Sequence, residues 1–181
     1  MKREEEIRIS KLMAFGLRHH PEEIGITVDE HGWTDCNALI TAVNRRYPGF
    51  TKEDLERIVV RDEKQRYAFS EDRTRIRASQ GHSIPVDVEL IQSVPPRYLF
   101  HGTGEKSVSA IEQEGLKHMG RLYVHLSWDR ETALKVGSRH GKPVVFRVDA
   151  EKMQEDGYVF FLSANNVWLT EAVPVQYLER L

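Results

Sequence analysis

An arginine next to a histidine at one point of the chain has the chemistry to hold and protonate a phosphoryl group. Arg18 and His19 lie in the segment Leu17-Arg18-His19-His20-Pro21, at the predicted end of the first helix. A guanidinium offers a fixed fork of donors to phosphate oxygens, and a histidine exchanges protons near neutral pH. A basic helix end that complements the helix dipole is a common alternative. Taken alone, these residues favour that alternative.

A second group of polar residues lies in the other half of the chain. His101-Gly102-Thr103 follows a predicted strand and precedes a predicted helix. The glycine permits close approach of the backbone to a ligand, and the histidine and hydroxyl can bond a ribose or a phosphate. Strand alternation also places His125 and Ser127 on one face. Each signal is weak by itself, because a solvated strand face carries similar residues.

Several other kinds of site are not indicated. The chain has no G-x-G-x-x-G after a strand, no phosphate-binding G-x-x-x-x-G-K-[ST] loop, no G-x-S-x-G and no H-E-x-x-H. Its eight histidines show no convincing ligand spacing, so we expect no metal site. The single cysteine, Cys36, excludes a disulfide framework and is predicted to be a small core residue.

Composition narrows the class of protein. The chain has 181 residues, of which 40% are hydrophobic and 30% charged, so it can bury a core. No apolar run approaches the roughly 20 residues of a membrane span, and no signal peptide is evident, so we expect a soluble, cytoplasmic protein. A net charge of −2 disfavours non-specific coating of nucleic acid. Seven basic against four acidic residues between positions 57 and 77 allow a local basic patch.

The first half of the chain is helix-rich. We predict a helix over residues 4–20, a short strand at 25–28, a helix after the cap Thr34-Asp35, and another after a capping box at residues 51–54. Two strands, 67–69 and 75–78, should then form a hairpin. Three helices followed by a hairpin describe a winged helix. The prolines of Ser93-Val94-Pro95-Pro96 predict a boundary, giving domains 1–94 and 95–181.

The second half is dominated by strands. We predict strands over 98–100, 122–126, 144–148, 158–162 and 167–169, with helices at 107–114 and 129–136. The last two strands should be joined by the turn Ser163-Ala164-Asn165-Asn166. The chain as a whole is therefore expected to be α+β.

Seven stretches taken in order resemble the RNA 2′-phosphotransferase family, the tRNA 2′-phosphotransferases, over nearly the whole length. They are Ile9-Ser10-Lys11 with Leu17-Arg18-His19; Gly32-Trp33; Asp62-Glu63-Lys64-Gln65-Arg66-Tyr67; Ile76-Arg77-Ala78-Ser79-Gln80-Gly81-His82-Ser83; Leu99-Phe100-His101-Gly102-Thr103; Met119-Gly120-Arg121 with Val124-His125-Leu126-Ser127; and Ser163-Ala164-Asn165-Asn166-Val167-Trp168-Leu169-Thr170.

The resemblance implies an N-terminal winged-helix lobe, a C-terminal lobe of the ADP-ribosyltransferase fold and an active site between them. It also implies a two-step reaction that removes an internal 2′-phosphate from RNA. The phosphate first displaces nicotinamide from NAD⁺, and a ribose hydroxyl then attacks the phosphorus, giving RNA 2′-hydroxyl and ADP-ribose 1″,2″-cyclic phosphate. NAD⁺ is thus a consumed co-substrate, the partner is a tRNA-like RNA, and we expect a monomer.

Residue roles follow from the same resemblance. The family's catalytic constellation corresponds to Arg18, His19, Arg66 and Arg121, with Arg139 a competitor for the fourth position. The arginines would grip the 2′-phosphate without a divalent ion, and His19 would protonate the departing RNA oxygen. The NAD⁺ pocket corresponds to seven residues: His101, Gly102, Thr103, His125, Ser127, and, as weaker candidates, Ser138 and Arg139.

Two other functions remain open. An ADP-ribosyltransferase that stops after the first step, modifying a nucleic-acid end phosphate or another acceptor, would use the same NAD⁺ pocket. The presence of Arg18, His19 and Arg66 favours the two-step reaction, since a pure transferase would not need all of them. A non-catalytic winged-helix regulator would leave the second half of the chain unexplained, and its predicted recognition helix, 51–61, is mixed in charge.

Overall fold

The computed structural model describes every residue, Met1–Leu181, and the chain divides into two units. They are Met1–Glu89 and Leu90–Leu181. The division precedes the predicted boundary after residue 94, because Ile91–Gln92 pair with Phe161–Leu162 and so belong to the second unit. Helices and small antiparallel sheets occur in both units, which confirms the α+β class.

The first unit contains four helices and a three-stranded sheet. In chain order its elements are α1 (Arg3–Arg18), α2 (Pro21–Ile24), β1 (Thr34–Asp35), α3 (Cys36–Asn44), α4 (Lys52–Arg61), β2 (Tyr67–Phe69) and β3 (Arg75–Ala78). The sheet is antiparallel, and its order is β1-β3-β2. Both strands of the predicted hairpin are confirmed at the predicted residues.

Local sequence explains the ends of these helices. Acidic residues fill the first turn of α1 and Arg18 its last, which complements the helix dipole. The carboxylate of Asp35 accepts a hydrogen bond from the Ala38 N–H at the start of α3. Thr51 and Asp54 form the predicted capping box of α4, each side chain accepting from the other's backbone N–H. Cys36 is buried in the core of this unit, as predicted.

One predicted strand is wrong, and one proline acts differently. Residues 25–28 form no strand, because Pro21 does not simply end α1 but occupies the first turn of α2. Gly25 then ends α2 with φ +78°, a left-handed conformation that suits glycine. The third strand of the sheet is instead Thr34–Asp35, which pairs with Ile76 and Arg75.

The second unit is built from nine strands and three α-helices. They are β4 (Ile91–Gln92), β5 (Tyr98–Gly104), α5 (Val108–Glu114), β6 (Leu116–Lys117), β7 (Val124–Leu126), α6 (Arg130–Gly137), β8 (Pro143–Asp149), α7 (Ala150–Glu155), β9 (Phe161–Leu162), β10 (Trp168–Thr170), β11 (Ala172–Val173) and β12 (Leu178–Arg180). The sheet orders are β4-β9-β10-β7, β11-β6 and β12-β8-β5.

Two of these sheets meet at one main-chain bridge. Phe100 of β5 and Ser127, directly after β7, exchange N–H···O hydrogen bonds of 2.8 and 2.7 Å. Strand β5 runs through to Gly104, longer than the predicted 98–100, because its pairing with β8 continues to Pro143. His101, Gly102 and Thr103 therefore lie within a strand.

Glycines allow β5 to pack unusually close to α6. A Cβ atom placed on Gly102 would lie 1.6 Å from the Ala133 carbonyl oxygen, which no side chain can tolerate. A Cβ on Gly104 would meet the carbonyl oxygen of His140 at 2.3 Å. Backbone thus packs against backbone along this face. None of the seven α-helices has both the length and the apolar character of a membrane span.

Candidate functional site

The end of α1 presents Arg18 and His19 next to a loop that follows β3. The Ser83 hydroxyl lies 2.8 Å from His19 Nδ1, and the Ser83 N–H donates to the Arg18 carbonyl at 3.0 Å. These two contacts fix the direction of the imidazole ring and direct its Nε2 away from Ser83. The residues are thus held by a segment 64 positions away, which a helix end alone would not require.

The same loop shapes the surroundings of the Arg18 guanidinium. Gly81 adopts φ +89°, and a Cβ atom there would lie 3.4 Å from the guanidinium carbon. The next residue, His82, is only 2% exposed. Burial, and then the positive charge of Arg18, lower the pKa of His82 to about 4. His82 is therefore neutral near pH 7 and adds no charge that would repel the guanidinium.

Arg66 is held at the start of the hairpin by an acidic residue. Asp62, only 6% exposed at its side chain, accepts the Arg66 backbone N–H at 2.6 Å and also binds the guanidinium. The next residue, Tyr67, donates its hydroxyl proton to the Ser10 carbonyl at 2.6 Å, which ties β2 to α1. Burial raises the pKa of Tyr67, whereas the nearby charges of Arg18 and Arg66 oppose that rise. The phenol is thus close to both arginines.

In the second unit, an arginine and two histidines form a chain of contacts where two sheets meet. Arg121 Nη1 lies 3.2 Å from His125 Nδ1, and His101 Nδ1 lies 3.1 Å from the His125 carbonyl oxygen. A carbonyl only accepts, so His101 carries its proton on Nδ1 and leaves Nε2 as an acceptor. Burial lowers the pKa of His101 against the opposing effect of this hydrogen bond, so the ring stays neutral.

The remaining candidates of the second unit are placed less favourably. Gly102 makes its close approach to α6, so the space beside its backbone is filled by a helix on that side. Thr103 is buried, and the backbone of Ser127 pairs with Phe100. Ser138 donates its hydroxyl to the Lys135 carbonyl at 2.7 Å in the turn after α6.

The structure also separates the two arginines that competed for one position. Arg121 contacts His125 and is among the charges that lower the pKa of His101. Both arginines are exposed, but Arg139 lies in the short helical turn after α6 and has no such effect on His101. The geometry therefore favours Arg121 as the arginine that belongs with the histidine pair.

Sequence reasoning assigned no role to three residues beside the site. Asp62, His82 and Ser83 all lie within the stretches that resemble the family, but nothing in their types predicted that Asp62 binds Arg66, that Ser83 contacts His19 or that His82 is buried near Arg18. The spacing of Asp62 four residues before Arg66 was the one available signal.

One group of side chains could surround a metal ion. His20, Glu22 and Glu23 bring their ligand atoms within 4.8 Å of one another, and all three are exposed. Exposed acidic groups of this kind are common without an ion, and none of the phosphate- or ribose-binding candidates belongs to the group. It carries no metal assignment.

Comparison with known proteins identifies the family of the chain. A family model described as RNA 2′-phosphotransferase, Tpt1 / KptA family, matches residues 4–172. The chain belongs to the RNA 2′-phosphotransferase family. The match covers all four residues of the arginine–histidine constellation, and it also covers His101 and His125.

Curated members of the RNA 2′-phosphotransferase family agree over nearly the whole length. A protein of Streptomyces coelicolor named probable RNA 2′-phosphotransferase is 50% identical over 98% of this chain and 97% of its own length. A protein of the same name from Flavobacterium johnsoniae is 49% identical over 94% of each chain. Another, from Trichormus variabilis, is 45% identical over the full length of both.

Proposed function

We propose that this protein is an NAD⁺-dependent RNA 2′-phosphotransferase that removes an internal 2′-phosphate from RNA. In the first step a 2′-phosphate oxygen bonds to the ribose C1″ of NAD⁺, and nicotinamide leaves with the electron pair of its bond. In the second step the adjacent ribose 2″-hydroxyl attacks the phosphorus, and the RNA 2′-oxygen leaves and gains a proton. The products are nicotinamide, RNA with a free 2′-hydroxyl and ADP-ribose 1″,2″-cyclic phosphate.

The observation that carries the proposal is the arrangement of Arg18, His19 and Arg66 in the first unit. The His19 side chain is held by Ser83, a residue distant in the chain, and Arg66 is held by the buried carboxylate of Asp62. The Ser83 N–H also donates to the backbone carbonyl of Arg18. Positioned guanidinium groups stabilise charge on the non-bridging oxygens of a transferring phosphoryl group, which is the main requirement of that chemistry. A helix end that merely finished α1 would need none of these contacts.

His19 fits the role of general acid in the second step. The RNA 2′-oxygen is a poor leaving group until it is protonated, whereas nicotinamide leaves as a neutral molecule. With its Nδ1 oriented by the Ser83 hydroxyl, the imidazole offers Nε2 to the phosphate. We assign no acid or base to the first step.

The second unit supplies groups suited to the NAD⁺ ribose and pyrophosphate. Neutral His101 offers Nε2 as an acceptor for a ribose hydroxyl. Arg121, the fourth residue of the catalytic constellation, offers donors for the transferring 2′-phosphate beside this pocket. Thr103 and Ser127 are secondary candidates. Gly102 serves the packing of α6, and Ser138 and Arg139 are the weakest candidates of the predicted set.

We also propose specific folds for the two units. The order helix–helix–strand–helix–helix–strand–strand around a β1-β3-β2 sheet supports a winged helix in the first unit. The two adjoining antiparallel sheets of the second unit, with short helices on their connections, support an ADP-ribosyltransferase-like lobe.

A single incubation tests the proposed reaction. The protein is mixed with a short RNA that bears one internal 2′-phosphate, with and without NAD⁺, and RNA and nucleotide products are separated. We expect dephosphorylated RNA and ADP-ribose 1″,2″-cyclic phosphate only with NAD⁺, and the same yield in excess EDTA. A stable ADP-ribosylated RNA as the end product would show the one-step transferase instead, and absence of any NAD⁺-dependent product would refute both.

A further inference from the structure

A groove of the first unit begins at Arg66 and extends beyond the site described above. It runs between α1 and α4 and has a volume of about 660 Å³. Its lining includes Arg3, Ser10, Lys11, Arg61, Asp62 and Arg66. We call it the α1–α4 groove. Because Arg66 is one of its walls, anything bound along it is continuous with the candidate phosphate site.

The acidic groups in the α1–α4 groove are mostly neutralised by arginines. Glu6, only 12% exposed at its side chain, binds Arg61 at 3.2 Å and Arg57 at 3.8 Å. Asp62 binds Arg66, and only Glu63 remains as an exposed lining carboxylate. Two neighbouring negative charges are therefore already balanced within the protein.

Two cations of α1, in contrast, line the groove and form no ion pair with a carboxylate. Arg3 and Lys11 are exposed, and neither has an acidic oxygen within 4.0 Å. At 100° per residue they lie on one face of α1, together with the groove residues Ile7, Ala14 and Ser10. The groove lining has four cations and three carboxylates, a net charge of +1, and its two unpaired cations lie along α1.

The spacing of these cations fits a chain of phosphates. Eight residues of helix place Arg3 and Lys11 about 12 Å apart along α1. Along the axis of a stacked nucleic-acid strand, successive phosphates are about 3.4 Å apart, so the two side chains would meet different phosphates of one strand. A single small anion would not need two cations so far apart.

We infer that the α1–α4 groove binds the RNA strand that flanks the 2′-phosphorylated nucleotide, with Lys11 and Arg3 each contacting a backbone phosphate. The inference rests on the proposed function for the identity of the polymer as RNA. The groove would bind nucleotides beyond the one that carries the reacting phosphate. A longer RNA should therefore bind more tightly than a dinucleotide.

The test measures binding without reaction. The full chain is titrated, without NAD⁺, with a fluorescent eight-nucleotide RNA that carries a central 2′-phosphate, at several salt concentrations. We expect Lys11→Gln and Arg3→Gln each to weaken binding several-fold and to reduce the slope of log K against log salt by about 0.7. The matched control is Arg8→Gln, an exposed arginine of α1 that does not line the groove, and it should leave the slope unchanged.

A second measurement separates this inference from the proposed reaction. With NAD⁺, the ratio of kcat/KM on the eight-nucleotide RNA to that on a 2′-phosphorylated dinucleotide should fall several-fold in Lys11→Gln. Wild-type slopes in both groove variants, or an equal change in Arg8→Gln, would overturn the groove assignment. Failure of the proposed function would instead show as no turnover of either RNA, while the salt-dependent binding of the longer RNA would still report on the groove.

Discussion

The two units hold their polar candidates in contrasting ways. In the first unit the main candidate groups are permanently charged guanidiniums, and acidic or hydroxyl partners such as Asp62 and Ser83 fix their positions or those of their neighbours. In the second unit the central group is a neutral histidine, held by a backbone carbonyl and flanked by Arg121. Fixed charge suits a transferring phosphate, and neutral acceptors suit ribose hydroxyls, so the contrast matches a division of the proposed reaction between the units.

The two candidate regions also use their glycines for different purposes. Gly81 provides a left-handed turn of φ +89° beside the Arg18 guanidinium. Gly102 has no such conformation, and its missing side chain makes room for the backbone of α6. One glycine therefore shapes the loop beside the Arg18 guanidinium, and the other serves the packing of a strand against a helix.

The largest expected effect is on catalysis by the first unit. His19→Ala should slow overall dephosphorylation by roughly 10²–10⁴-fold, because the RNA 2′-oxygen loses its proton donor. Since the first step needs no acid, 2′-phospho-ADP-ribosylated RNA should accumulate. Samples quenched at intervals with saturating NAD⁺ and separated on a gel measure both species.

A variant in the second unit serves as the comparison for His19→Ala, because it should not cause the intermediate to accumulate. His125→Ala should impair the first step and so slow turnover without accumulation of the ADP-ribosylated RNA. If Arg18 and His19 only ended a helix, His19→Ala would cost about 0.3–1 kcal/mol of stability and leave turnover close to wild type.

The next effect concerns stability of the second unit. Gly102→Ala forces a Cβ atom against the Ala133 carbonyl, so β5 and α6 must separate, and we expect a loss of about 3 kcal/mol or more. Hydrogen exchange should show faster opening of β5 and β8, with protection of α1 and α3 retained. Gly120→Ala is the matched control, because nothing lies within 4 Å of the added atom. Equal stability of the two variants would mean that α6 adjusts without cost.

The third effect is a pH dependence that belongs to the first unit. The folded-state pKa of His82 is about 4, below its usual value of 6.5, so the unfolded chain binds a proton more readily. Stability from this group is therefore complete above pH ~6.5 and is lost as the pH falls towards ~4, by ~3 kcal/mol in all. Urea unfolding at intervals across this range should show that fall in wild type and a shallower one in His82→Gln. Parallel curves for the two proteins would contradict the assignment.

Much of the fold was predictable because its signals are local. Caps at Asp35 and Thr51, and the β2–β3 hairpin, follow from neighbouring residues, and the structure confirms them. The incorrect strand at 25–28 and the short prediction for β5 have a common cause. Pairing partners such as Ile76 and Pro143 lie far along the chain, and they decide which residues join a sheet.

The candidate site likewise contains residues that the sequence predicts and partners that it does not. Arg18, His19 and Arg66 were recognisable from residue type and resemblance, whereas their partners Ser83 and Asp62 depend on the turn of the chain around β2 and β3. Burial of His82 could likewise not be read from a polar stretch of sequence. Residue types predict the chemistry of a site, and tertiary contacts determine its geometry.

The smallest expected effect comes from Asp62. It tests whether this buried carboxylate contributes to catalysis only by positioning the Arg66 guanidinium. Asp62→Asn keeps the shape of the side chain and can still accept the Arg66 N–H, but it no longer holds the guanidinium by charge. Arg66 should then sample other rotamers, and kcat should fall about tenfold at saturating RNA, equivalent to ~1.4 kcal/mol of transition-state stabilisation. The matched control is Glu56→Gln on α4, the helix that Asp62 directly follows, because the ion pair of Glu56 with Arg73 is partly exposed and contributes little. Because Arg66→Ala removes the guanidinium, the double variant Arg66→Ala with Asp62→Asn should be no slower than Arg66→Ala alone. An additive loss in the double variant would show that Asp62 acts by a route other than Arg66.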